Sequence, residues 1–162
     1  MTVAMAEIRS SADRVRQALA ALGHEPEIRE FGATTRTSAD AAAAIGCTVG
    51  QIAKSLVFRA VGTNRAVLII ASGANRVDEA RVSAAIGDRV AKADATFVRD
   101  KTGFAIGGVA PVGHTETPII VIDEDLFQHG EIWAAAGTPN AVFRLSPEAL
   151  AAMTGGRVIA VK

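Results

Sequence analysis

Tyrosine is absent from these 162 residues, and tryptophan occurs once, at Trp133. That removes most of the aromatic platforms on which single-stranded bases stack. The single cysteine, Cys47, excludes an internal disulfide framework and a multi-cysteine zinc site. The longest uninterrupted apolar run is Ala66 to Ala71, far short of the roughly 20 residues a bilayer span needs. Met1 to Arg9 lacks a charged segment followed by an apolar one, so no signal peptide is read there and a cytoplasmic protein without a membrane partner is expected. Net charge is absent as well. Seventeen basic residues cancel 17 acidic ones, and neither half of the chain departs from neutrality by more than two charges. A polybasic protein that coats nucleic acid by bulk charge is excluded, and no DNA partner is expected.

What is present suits one folded domain spanning 1–162. Apolar residues make up 49% of the chain, enough for a real core and too many for disorder. Ser11 to Leu22 carries Val15, Ala18, Leu19 and Leu22 at helical spacing and is followed by Gly23. Glu27 to Phe31 alternates as a half-buried strand does. Thr37 or Ser38 caps a helix that Gly46 closes, and Thr48 caps a short helix through Ala53. Leu56 to Ala60 and Ala66 to Ala71 flank Gly62-Thr63-Asn64 as a hairpin. Helices are expected after Asp78, after Asp94 and from Ser146-Pro147-Glu148, and strands over 118–123, 141–145 and 157–161. The hairpin breaks any strict βαβ repeat. The pattern therefore reads as α+β, a mixed sheet curled into a partial barrel with short helices around it.

The common catalytic signatures are missing: no Gly-x-Ser-x-Gly, no P-loop lysine motif, no His-Glu-x-x-His. Cys47 reads as a small residue near a helix cap. Lys54 stands out because Ile52, Ala53, Leu56 and Val57 around it are apolar, so its charge must reach either water or an anionic partner. Residues 102–114 hold four glycines and Pro111, a side-chain-poor segment that either lines a tight pocket with backbone N–H groups or is an ordinary connection. Residues 71–78, with Asn75 and Arg76, form either a capped turn or an anion-holding one.

Taken together, these residues resemble the YbaK-like family of aminoacyl-tRNA deacylases, which includes the editing domain of bacterial prolyl-tRNA synthetases and its free-standing relatives. The family's Gly-x-x-x-Pro-x-Gly motif matches Gly107, Pro111 and Gly113, and its lysine matches Lys54 within residues 49–57. Residues 37–42, 73–78 and 136–140 fall in the family's order, so the likeness covers about residues 10–160. Ser55 stands where some members carry Asn or Thr, and Ala110 where several carry Ser or Thr.

The resemblance implies a trans-editing hydrolase acting on the acceptor end of mischarged tRNA, tRNA for proline carrying a small non-cognate amino acid. A prolyl-tRNA synthetase is an implied partner, and no metal or other cofactor is implied. Lys54, Gly107 and Gly113 would be catalytic. Ser55, Gly108, Val109, Ala110, Pro111, His114 and Gly137 would shape the substrate pocket. A non-catalytic module binding tRNA ends or a synthetase is the second reading.

Overall fold

The computed structural model describes residues 3–31 and 37–162. In chain order the elements are α1 (Val3–Ala21), β1 (Glu27–Glu30), α2 (Ser38–Ile45), β2 (Ile52–Ala60), β3 (Ala66–Ser72), α3 (Glu79–Ile86), β4 (Val90–Lys92), α4 (Ala95–Thr102), β5 (Ile119–Asp123), β6 (Ile132–Ala135), β7 (Ala141–Leu145), α5 (Pro147–Thr154) and β8 (Arg157–Ile159). Short 3₁₀ turns, Val49–Gln51 and Glu124–Gln128, lead into β2 and out of β5.

The helix starts follow from local chemistry. The side chains of Thr37, Asp78, Asp94 and Ser146 each accept from a backbone N–H in the first turn of the helix that follows. At Thr37 the bond is reciprocal, because Asp40 reaches back to the Thr37 N–H.

Among the described residues eight strands form one mixed sheet, ordered β1-β7-β6-β2-β3-β5-β8, with β4 paired to β2 off that path. The sheet stays open and does not close into a barrel. The β2–β3 hairpin is antiparallel, whereas β3 with β5, β5 with β8, and β2 with β6 run parallel. β3 is buried along its whole length, and its side chains alternate between two cores. Leu68 and Ile70 pack with Val15 and Leu19 of α1, Phe104, Phe143 and Leu150. Val67, Ile69 and Ala71 pack with Val82 of α3 and Val161. A strand buried on both faces needs an unbroken apolar run, which Ala66–Ala71 supplies.

Two local expectations change. The helix expected from Thr48 through Ala53 is only the 3₁₀ turn, because Ile52 and Ala53 pair with Trp133 and Ala134 and so begin β2. Strands β4 and β6 were not anticipated. They have three and four residues, too few for a periodicity to show. Among the described residues no helix is long and apolar enough to cross a membrane.

Candidate active site

Strand β2 has three partners, and the way they share it creates the site. β3 runs along one edge, from Ala53 to Arg59. On the other edge β6 pairs with Ile52 and Ala53, and β4 pairs with Phe58, Arg59 and Ala60. Between them, residues 54–57 have a ladder partner on one side only. Burial records the gap: Ala53 and Ala60 are buried, and the residues between them are half-buried. Backbone direction alternates along a strand, and Gly73 N–H donates to Ile52 O on the β3 side. The backbone groups of Ser55 and Val57 therefore face the gap.

The glycine-rich segment 103–113 comes up against this opening. Ile106, Gly107 and Val109 face residues 55–57 across a cleft of two adjoining lobes, each about 280 Å³. One lobe is walled by Val57, Phe58, Lys92 and Val98. The other is walled by Lys54, Trp133, Thr138 and Pro139. Gly107 has φ +89°, and a Cβ there would have no neighbour closer than Pro139 at 3.9 Å, so its conformation and not crowding calls for glycine. Ile106 stands 59% exposed at the mouth.

Lys54 is half-buried and donates from Nζ to Asn75 O at 2.6 Å. Burial pulls its pKa below the ordinary lysine value, and the Asp123 carboxylate opposes that shift. The Ser55 hydroxyl is buried without a hydrogen-bond partner, as is the Trp133 indole N–H.

The segment is held from behind. Arg14 of α1 donates through Nε to Gly113 O at 3.0 Å and through Nη2 to Gly103 O at 2.5 Å, so one guanidinium ties both of its ends. The same group lies 4.5 Å from the centre of the fully buried Phe104 ring. His114 meets that ring edge-on, and its Nε2 is 2.7 Å from Ala110 O. A carbonyl only accepts, so Nε2 carries a proton and donates it to Ala110 O. Burial, the largest cause, lowers the His114 pKa below its ordinary value.

The residues singled out in the sequence thus divide. Lys54, Ser55, Gly107 and Val109 line the cleft together. Gly108 is pressed against the backbone of Gly137 and Thr138, and Gly137 in turn against the Ser11 carbonyl of α1. Ala110 is fully buried. Pro111, Gly113 and His114 line a separate groove between α1 and α5, on the other side of the segment. Cys47 lies outside the cleft-lining set, and burial raises its thiol pKa, the wrong direction for a nucleophile.

Arg14, Asp123 and Trp133 were not singled out in the sequence. Nothing around Arg14 marks it, since any exposed helix carries arginines. Asp123 did carry a signal, an acid closing the apolar run from Ile119.

Comparison with known proteins identifies the family and the fold. A family model described as "Aminoacyl-tRNA editing domain" matches residues 33–153. The protein YwhH of Bacillus subtilis (strain 168) is 31% identical over 134 residues, covering 83% of this chain and 85% of that one. A solved structure described as "a putative trans-editing enzyme for prolyl tRNA synthetase" is 45% identical, with a TM-score of 0.88 over 94% of this chain and 96% of that chain. The structure of hypothetical protein APE2540 is 28% identical, with a TM-score of 0.84 over 91% of this chain and 98% of that one. A cleft between a lysine-bearing strand and a glycine-rich segment is thus found in a chain that belongs to the aminoacyl-tRNA editing domain family.

Proposed function

We propose that this protein is a trans-editing deacylase that hydrolyses the ester between a small non-cognate amino acid and the terminal ribose of tRNA for proline. The observation that carries the reading is the placement of the Lys54 ammonium and the side-chain-free Gly107 in one cleft, with the unpaired edge of β2 between them. An aminoacyl ester is already activated, so a positioned water and preorganised donors suffice for its hydrolysis. In this reading Lys54 pairs with the terminal phosphate or with the carbonyl oxygen as charge develops on it. Backbone N–H groups of segment 103–113 and of the β2 edge take the remaining lone pairs, and the ribose hydroxyl of the substrate assists the water. Val57, Val98 and Val109 give the amino-acid side chain an apolar lobe, and Ile106 at the mouth offers a face to the terminal base. A prolyl-tRNA synthetase is the partner that would deliver such a substrate.

The test is a deacylation screen of the purified protein against tRNAs charged with alanine, serine, threonine and cysteine. Hydrolysis of one small residue on tRNA for proline, lost in Lys54→Ala, is the expected result. Tight binding of the acceptor end with no hydrolysis of any ester would favour the binding-module reading instead.

A further inference from the structure

Behind the lysine lies a carboxylate that never reaches the cleft. Asp123 closes β5 and is 1% exposed. A charge taken out of water must be met by donors. Its Oδ2 accepts from the Ser72 backbone N–H at 3.0 Å and from Asn75 Nδ2 at 2.8 Å, and its Oδ1 accepts from the Asp125 N–H at 2.9 Å. The second hydrogen of Asn75 Nδ2 goes to Asp125 Oδ2 at 2.7 Å, so both amide hydrogens are committed to carboxylates.

With its side chain tied inward, Asn75 presents its main-chain carbonyl to Lys54. The turn that carries this carbonyl is pinned at several points. Gly73 N–H donates to Ile52 O at 2.7 Å, and Asn75 N–H to Ser72 O at 2.9 Å. A Cβ on Gly73 would fall 2.5 Å from Val49 O, so the turn packs backbone against backbone and admits no side chain. Ser72 Oγ adds a bond to Gly50 O at 2.8 Å. Residues 52–54 and 72–75 are therefore laced together, by the main chain at Ile52 and by the ammonium at Lys54. An ammonium has three N–H groups. One is spent on Asn75 O, which leaves two directed elsewhere.

We propose that Asp123 and Asn75 are positioning residues for Lys54: the buried carboxylate fixes the Asn75 side chain, and the fixed turn holds out the carbonyl that aims the ammonium. Neither residue touches substrate. Burial is the larger influence on the Lys54 ammonium and favours its neutral form, and the Asp123 carboxylate opposes it. Asp125, paired with Lys162 at 3.3 Å, and Lys162 itself sit at the outer end of the network and reach Lys54 only through Asn75.

The proposal rests on the deacylase reading for its functional meaning, so its first test uses no substrate. The chain has four lysines, at 54, 92, 101 and 162. With 13C at Cε, each gives a titration curve by NMR, assigned by single Lys→Arg variants. In Asp123→Asn the Lys54 midpoint is expected to fall while those of Lys92 and Lys101 stay in place. In the deacylation assay the alkaline limb of kcat/KM should move with it. A folded Asp123→Asn whose Lys54 titrates as in the wild type overturns the proposal. Asn75→Ala tests the tether apart from the charge, because it keeps the carbonyl and Asp123 but cuts the link between them. It should lower kcat roughly tenfold with KM little changed, the signature of a misaimed group in the transition state; an unchanged kcat also overturns the proposal. The two readings fail separately. A wild-type protein that hydrolyses no ester sinks the deacylase reading, whereas an unmoved Lys54 in an active enzyme sinks the network alone.

Discussion

Lys54 and His114 are both partly withdrawn from water, with opposite consequences. For Lys54 the charged form is the useful one. Lys54→Ala should reduce kcat/KM by roughly 10²–10³, the scale of one lost electrostatic contact in a site. Lys54→Arg should also be impaired, since a planar fork does not replace a compact ammonium at a carbonyl 2.6 Å away. Because burial lowers the pH at which the ammonium gives up its proton, activity should decline on the alkaline side earlier than an ordinary lysine would dictate. A wild-type rate in folded Lys54→Ala would remove the lysine from the chemistry. For His114 burial favours the neutral form. The unfolded chain takes up the proton near the ordinary value of 6.5, and the folded chain only at lower pH. Between those two points the unfolded state binds more protons, so stability is full above about 6.5, falls as pH falls towards the folded value, and is flat below it. His114→Gln, which can keep a donor for Ala110 O, should flatten that part of a Tm-against-pH curve. An unchanged acid-side slope would show that another group causes it.

At the scale of elements, the cleft is a consequence of strand length. β2 has nine residues, and neither β6 nor β4 is long enough to cover its edge, so four residues are left open between them. A static edge needs a static counter-wall, and α1 provides it through Arg14. Arg14→Ala removes both carbonyl contacts and the stack on Phe104. It is expected to cost about 2–3 kcal/mol, as lost bonds to a charged donor do, and to speed amide exchange in residues 103–113 more than in β3. Exchange that rises evenly over the whole chain would mean general destabilisation rather than release of the segment. The helix caps, the hairpin and the buried strand were legible in the sequence because each is a local pattern: Asp78 before a helix, Gly62-Thr63-Asn64 between apolar runs, Ala66 to Ala71 unbroken. Lys54 was legible for the same reason, as a charge among apolar neighbours. The gap in β2 was not, since it is set by where Trp133 and Ala91 come to lie, far along the chain. Nor was Arg14, whose two acceptors are 89 and 99 residues away.

For the molecule as a whole, charge limits how nucleic acid can be held. Seventeen basic and 17 acidic residues cancel, and several cations are already committed to acids. Arg29 and Arg144 meet Glu27 and Glu131, Lys101 meets Glu116, and Lys162 meets Asp125. Among the described residues, Lys54 and Lys92 are the cations that line the cleft. On the proposed deacylase reading, a protein built this way would grip the end of a tRNA by shape and by a few charges rather than by a broad basic face. Each neutralised phosphate releases condensed counterions, so the number of contacts can be read from the salt dependence of binding. With about two to four phosphates engaged, a plot of log affinity against log salt should have a slope of about −1.5 to −3. Removing the Lys92 charge should make that slope shallower by less than about 1. A slope steeper than about −6 would mean a broad basic footprint and would overturn this reading of the charge.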